Sequence, residues 1–296
     1  MYRFPRIVFY LTAVMFLVAG CDKEKDFLPE QVSDLPSNGF KLMSFNVRYE
    51  NSGDNSSGNG WAVRRKGVYE MMKTERPTLM GVQECLAGQR HDILSNVNGY
   101  EAIGIGRDDG NEKGEMMAIF YLRDSVQVID WGTFWLSATP EYVSKGWDAA
   151  CYRTCTWARF RHKRIGRDFV YFNTHLDHKG KTARSESMKL IVSKMKEINP
   201  EGLPCVLSAD FNTVEDDPIL ADLQATMKSA RKTAPMSDSY ATANSFKSPS
   251  LGSRYIIDHI FFNGLEVSKY RTVRESWKGI DFISDHYPVY AVFSFI

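Results

Sequence analysis

Apolar residues in this chain gather into short runs that stop abruptly at polar groups. Phe40–Val47 alternates imperfectly and reads as a first strand, with Ser44, Asn46 and Arg48 sharing one face. Asn51–Gly60 is a loop rich in Gly, Ser and Asn. Val68, Met71 and Met72 recur at helical spacing within Trp61–Glu75, and Pro77 stops that helix. Thr78–Gln83 is a short apolar strand that runs into Glu84, and a helix follows over about Gln89–Val97. Tyr100–Gly106, Met116–Leu122 and Val126–Leu136 read as strands, with a polar turn at Asp108–Glu115. After a long loop at Ser137–Ala150, strands are expected over Thr154–Arg161 and Asp168–Thr174, the second ending at His175. Leu190, Ile191, Met195 and Ile198 line one face of a helix over Thr182–Ile198, which Pro200, Gly202 and Pro204 end.

Leu203–Thr213 is a buried strand that ends in acid. Cys205, Leu207 and Ala209 fall on one face; Val206, Ser208, Asp210 and Asn212 fall on the other if the chain stays extended to Asn212. A short helix is expected from Pro218, and Met227–Ser253 reads as mostly loop. Tyr255–Phe262 is apolar on both faces, as a strand covered from both sides would be. Tyr287–Ile296 is the last strand. Strands outnumber helices and helices fall between strands, which predicts a two-layered sheet core with outer helices.

The 43% hydrophobic and 25% charged content exclude a disordered chain. Net charge is +1 over 296 residues, which excludes a broad basic field for unspecific nucleic-acid binding. Arg3 and Arg6 precede a short apolar run, Ile7–Val18, and then Leu17-Val-Ala-Gly-Cys21. This resembles a bacterial lipobox, with an ordinary signal peptide as the alternative. The expected organisation is a signal over residues 1–20, Cys21 as the lipidated first residue of a polar tether over 21–38, and one domain over 39–296. That organisation would fix the protein to the cell envelope by a lipid anchor; no protein partner is implied. Cys151 and Cys155, if both lay on one strand, would sit about 13 Å apart, too far for a bridge, which needs less than ~7 Å. Cys205 reads as a small core residue.

The polar residues that end strands form a set: Asn46, Glu84, His175 with Asp177, Asp210 with Asn212, Asp258, and Asp285 with His286. Asp258 lies in Tyr-Ile-Ile-Asp-His-Ile-Phe-Phe, where no solvent face is visible. A buried carboxylate there needs a partner, and a histidine is the natural one. The set is all oxygen and imidazole, with no thiolate, no Walker loop and no Gly-x-Ser-x-Gly. It suits a hard cation, Mg²⁺ or Mn²⁺, and hydrolysis at phosphorus.

In order, Ser44-Phe-Asn-Val47, Gly81-Val-Gln-Glu84, Asn173-Thr-His-Leu-Asp177, Ser208-Ala-Asp-Phe-Asn212, Ile257-Asp-His-Ile260 and Ser284-Asp-His286 resemble the endonuclease/exonuclease/phosphatase superfamily over about Phe40–Ile296. The resemblance implies a four-layered α/β/β/α sandwich. It implies Glu84 as principal metal ligand, Asn46 as the amide supporting it and Asp285 as a possible metal helper. It further implies Asp210 as the residue that activates water, Asn212 and His175 as phosphate binders, and Asp258 as the acid orienting the catalytic His286. Arg48 stands where abasic-site repair members carry an Asp, which argues against that branch. Gly146–Trp157 resembles a group of exported bacterial members. Arg153 is a candidate phosphate binder there and Trp147 a candidate substrate contact, while Tyr121 and Glu115 are weaker candidates for the rim.

The resemblance implies direct attack of water on a phosphodiester in a nucleic acid or phospholipid headgroup. The alternatives are a phosphomonoesterase on sugar or inositol phosphates and an inactive lipid-anchored binding protein. A basic trail beside the pocket would favour a polymer; a closed polar cup would favour a small headgroup.

Overall fold

The computed structural model describes residues 35–247 and 255–296. The expected signal, Cys21 and the tether as far as residue 34 lie outside the described residues, as does part of the 227–253 loop. Among the described residues, no helix is long and apolar enough to cross a membrane.

Strand β1 (Gly39–Asn46) is buried along its whole length, because both of its faces are covered. Phe40 and Leu42 point into one apolar layer and Met43 and Phe45 into another. That accounts for its imperfect alternation: a strand covered on both sides has no polar face. β1 lies in a six-stranded sheet with β2 (Leu79–Gln83), β3 (Tyr100–Ile103), β4 (Ile119–Leu122), β11 (Leu265–Thr272) and β12 (Val289–Phe295), in the order β11-β12-β1-β2-β4-β3. A second sheet runs β5-β6-β7-β8-β10-β9, from Val126–Trp135, Thr154–His162, Arg167–His175, Cys205–Asp210, Asp258–Asn263 and Lys228–Ser229 respectively.

The sheets pack face to face through Phe40, Phe160, Phe169, Tyr171 and Phe293, with the Phe40 and Phe169 rings stacked at 4.7 Å. Each such buried side chain contributes roughly 1.5–3 kcal/mol. Helices Trp61–Glu75 (α2) and Ala87–Asn96 (α3) cover the first sheet with Val68, Met71, Met72 and Ile93. Lys181–Ile198 (α4) covers the second with Met188 and Ile191. The result is the four-layered α/β/β/α sandwich.

Two parallel pairs decide where the chemistry goes. β1 and β2 run parallel through α2, and β7 and β8 run parallel through α4. Their C-terminal ends emerge at one rim, where His175 pairs with Asp210, and Asp258, the first residue of β10, lies opposite Asp210. The sheets approach closely beneath that rim, so a methyl group on Gly81 would fall 2.0 Å from the Tyr171 hydroxyl.

Several elements differ from the expectations. β8 stops at Asp210, and Asn212 is left-handed rather than extended. β3 stops at Ile103 because Gly104 turns the chain at φ 127°. Asn51 caps a short helix, Ser52–Ser56 (α1), inside the predicted loop, its Oδ1 accepting from Asp54 N–H at 2.9 Å. β11 is not evident from the hydrophobic pattern, because Glu266, Ser268, Lys269 and Arg271 break it. Cys85, Cys151, Cys155 and Cys205 are all unbridged, and Cys205 is core.

Candidate active site

Three strand ends turn their next residues inward through left-handed backbone: Arg48 after β1 (φ 57°), Glu84 after β2 (φ 58°) and Asn212 after β8 (φ 50°). Non-glycine residues adopt this conformation at a cost, and sites are where it concentrates. Here it bends polar side chains from buried strands into a cavity of about 530 Å³. Glu84, Asp210, Asn212, Asp285, His286, His175 and Arg153 line it, together with Arg48, Tyr49, Arg107, Glu115, Cys151 and His178.

Asn46 ties the floor together. Its Nδ2 donates to Glu84 Oε1 and to Asp210 Oδ2, both at 3.0 Å, and its Oδ1 accepts from Arg48 N–H. Tyr49 N–H donates to Glu84 Oε2 at 3.3 Å. Behind this floor, Asp258 Oδ2 lies 2.8 Å from His286 Nδ1, and His286 Nε2 lies 3.8 Å from Asp210 Oδ2. Burial works against a charge on His286, but Asp258, Asp210 and Asp285 outweigh it and raise the imidazole well above its ordinary value. Asp210 is pushed up to about 7, first by burial and then by Asp258. Asp258, His286 and Asp210 therefore form one chain of charged contacts behind the floor.

His175 differs. Its Nε2 is 3.3 Å from Asp210 Oδ2, yet burial and the nearby Arg153 and Arg107 lower its pKa well below normal. The contact is with a neutral ring, not an ion pair. Asn212 Nδ2 donates to His175 Nε2 at 2.9 Å and to the Leu176 carbonyl at 3.0 Å. Both amide hydrogens are thus engaged within the protein.

Asp210, Asp258 and His286 each bring a ligand atom within 4.8 Å of the others, a set that could hold a metal ion. A protonated His286 has no lone pair to offer, so the carboxylates nearer the opening fit a cation better. Asp285 is raised first by burial and also by Glu84, and Glu115 is raised by burial and by Glu84 despite Arg107. Two carboxylates raised by their neighbour Glu84, with oxygen donors alone, fit a hard divalent cation.

Arg153 is buried and held by Asp177, with Nε 3.2 Å from Asp177 Oδ2, while its Nη1 is buried without a partner. Tyr121 does not reach the rim. It pairs with Leu79 at the start of β2, the end away from Glu84, and donates to Glu101 at 2.7 Å. Trp147 lies outside the cavity, 40% exposed, because Asp148 beside it is anchored to Ala183 N–H at the start of α4. Arg48 occupies space beside Asp285, 3.3 Å from its Oδ2, and bonds Asp54 as well.

Sequence reasoning did not single out Arg64, Arg107, Tyr49 or His178. Arg64 is fully buried and donates to the carbonyls of Val47, Arg48, Asn59 and Ile283, which ties the Arg48 turn to the segment carrying Asp285. Burial pushes its guanidinium down to about 10. Its signal was available, four residues before Val68 on the apolar stripe of α2. His178 directly follows the Asp177 already in the strand-end set.

A family profile named Endonuclease/Exonuclease/phosphatase family matches residues 43–286. No curated protein matches the chain. Among solved structures, the chain is similar to a mannosyl-6-phosphatase of Bacteroides thetaiotaomicron VPI-5482, with 34% identity, a TM-score of 0.83, and coverage of 86% of this chain and 100% of that one. It is similar to an endonuclease/exonuclease/phosphatase from Bacteroides vulgatus at 34% identity, TM-score 0.81, covering 87% and 99%. The human Nocturnin catalytic domain, with bound sulfate, shares the fold at 18% identity and TM-score 0.69, covering 88% and 95%.

Proposed function

Because the chain belongs to the endonuclease/exonuclease/phosphatase family, whose members hydrolyse phosphate esters, we propose that it is a divalent-cation-dependent phosphomonoesterase acting on a phosphorylated sugar. The observation that carries the choice is Arg153. Arg153 lines the cup with a guanidinium whose Nη1 has no partner, whereas Arg48 and Arg107, which also line it, are paired with Asp54 and Asp285 and with Glu115. A terminal phosphate is a dianion with three free oxygens, and it calls for more cationic donors than a singly charged diester link. A near-neutral chain with three arginines lining one cup favours a small ester over a polymer. Similarity to a mannosyl-6-phosphatase favours the same class.

In this reading Glu84, supported by Asn46, and Asp285 hold Mg²⁺ or Mn²⁺. The cation, when bound, neutralises phosphate charge. Asp210 orients the attacking water and takes its proton, which its pKa near 7 permits at neutral pH. His286, fixed by Asp258, shares that proton and offers Nε2–H to the phosphoryl group. Arg153 binds phosphoryl oxygens through Nη1. His175 and Asn212 hold each other and the floor beside Asp210, a more indirect part in phosphate binding than the resemblance implies. The export signal and lipid anchor at Cys21 remain part of the proposal, and would place the enzyme in the cell envelope.

The test is a panel of esters with Mg²⁺ or Mn²⁺: a hexose 6-phosphate, inositol phosphates, bis(p-nitrophenyl) phosphate and a short oligonucleotide. The hexose phosphate is expected to be cleaved at least about 10²-fold faster than either diester, a difference of about 3 kcal/mol. Faster cleavage of a diester would restore the nuclease or phosphodiesterase reading. Metal-dependent binding without turnover of any ester would mark an inactive binding protein.

A further inference from the structure

His178 lies at the mouth of the cavity, exposed, next to the buried Arg153. Arg153 Nη2 is 3.0 Å from His178 Nδ1. A guanidinium can only donate, so Nδ1 must accept, and the ring proton of a neutral His178 must sit on Nε2. Arg153 is itself immobilised. Asp177 Oδ2 accepts from its Nε and from Ala150 N–H, and Asp177 Oδ1 accepts from Lys179 and Gly180 N–H at 2.9 and 2.8 Å. The loop, the strand end and the start of α4 are thus knotted into one frame that fixes the imidazole's tautomer. Burial and the adjacent Arg153 lower the His178 pKa, consistent with a neutral ring.

Direction decides what such a donor can do. Asp210, at the floor, is 1% exposed, whereas His178 is at the opening. Water attacking from the floor sends the leaving oxygen toward the mouth, since displacement at phosphorus is in line. We propose that His178 is a further catalytic residue, whose Nε2–H hydrogen-bonds the leaving-group oxygen of the ester, with Arg153 as its positioning residue. This rests on the phosphomonoesterase reading above.

In the step, the water oxygen forms a bond to phosphorus and the phosphorus–leaving oxygen bond breaks. The electron pair of that bond stays on the leaving oxygen. His178 keeps its proton and stabilises the growing negative charge. Water's proton passes to Asp210, and the departing alkoxide takes a proton from solvent at the open mouth, giving alcohol and phosphate; Asp210 then returns its proton to solvent.

An alkyl leaving group needs that donor, whereas a nitrophenolate is already a stable anion. His178→Ala is therefore expected to lower kcat about 10²-fold on a hexose 6-phosphate but less than about threefold on p-nitrophenyl phosphate, with thermal melting unchanged. His178→Gln can present an N–H at the same place and should recover most of the loss. Equal losses on both esters, no loss on either, or no recovery with Gln would overturn the role of His178 while leaving the phosphomonoesterase reading intact. Wild-type inactivity on both monoesters would overturn the two together.

Discussion

Asp210→Asn should make the protein more stable at alkaline pH and less stable in acid, a sign reversal that follows from where its carboxyl sits. The folded chain raises this carboxyl from 3.8 to about 7, by burial first and then by Asp258. An acid raised in this way contributes stability that is complete below about pH 4 and is lost as pH rises through about 7. The interval corresponds to about 4 kcal/mol, already net of the opposing pull of the His286 imidazolium 3.8 Å away. The amide cannot ionise and escapes that loss. It has its own cost: where Oδ2 accepts from Asn46 Nδ2, an amide NH₂ would face another NH₂. Turning the amide over instead would lose the hydrogen bond from Asn212 N–H to Oδ1. Either way one buried hydrogen bond goes, worth about 1–3 kcal/mol.

The two effects therefore compete with different pH dependence. At pH 4 only the lost hydrogen bond acts, and the variant should be less stable by about 1–3 kcal/mol. At pH 8.5 the relief outweighs it, and the variant should be more stable by a similar amount, about 2–4 °C in Tm per kcal/mol for a domain of this size. Thermal melts of both proteins at pH 4, 6 and 8.5 in chelator measure this directly. Parallel Tm–pH curves would refute the raised carboxyl, and with it the account of Asp210 as a base poised near neutrality. The same variant should lose about 10²–10⁴-fold in kcat, so its alkaline stability would be gained at the expense of activity.

Further outcomes follow from the same geometry. Mn²⁺ at 100 times its dissociation constant should stabilise the wild type by about 2.7 kcal/mol; Glu84→Ala should abolish both that shift and hydrolysis, as melts with and without metal would show. Gly81→Ala would drive a methyl group to 2.0 Å from the Tyr171 hydroxyl and 2.8 Å from Asn173. It should cost about 1–3 kcal/mol in urea unfolding, and part of this should return in the double variant with Tyr171→Phe. Arg64→Met breaks four hydrogen bonds to backbone carbonyls, two of them buried, and should cost at least about 3 kcal/mol, with kcat falling because the Arg48 turn and Asp285 come loose. Trp147→Ala and Tyr121→Phe should leave kcat/KM on a hexose phosphate within about twofold, since both lie outside the cavity.

The floor of the site was legible in the sequence because it is built from strand ends. A polar residue next to an apolar run is visible in any pattern of hydrophobicity; Asn46, Glu84, His175 and Asp210 end or follow strands that the core requires to be apolar, and Asp258 begins one. The backbone step that makes them converge was not legible. Nothing in Asp-Phe-Asn says that Asn212 turns left-handed, and an extended reading gives it the wrong direction. Arg107 and His178 come from turns whose path is set by tertiary hydrogen bonds, here through Asp177, Glu115 and the Trp135 indole. Tyr121 misled for the opposite reason. Its strand was read correctly, but alternation tells a residue's face and not which end of the sheet carries the site.

That division between floor and rim has a functional counterpart. In the proposed reaction the floor activates water and bears phosphate charge, and those tasks admit few residue types, so they leave motifs. The rim meets the alcohol that departs, which differs from one ester to another, so its residues need only suit this chain's own substrate. Arg153 spans the two: Asp177 anchors it to a strand end, its unpartnered Nη1 is the group proposed to hold the phosphate, and its Nη2 fixes His178 at the mouth. If that bridging is real, Arg153→Lys should do more harm on a hexose 6-phosphate than on p-nitrophenyl phosphate, because a lysine can supply charge to the phosphate but cannot bond Asp177 and His178 together. Comparing kcat/KM for the two esters separates the contributions. A uniform loss would make Arg153 a phosphate ligand alone and leave the tautomer of His178 without a keeper.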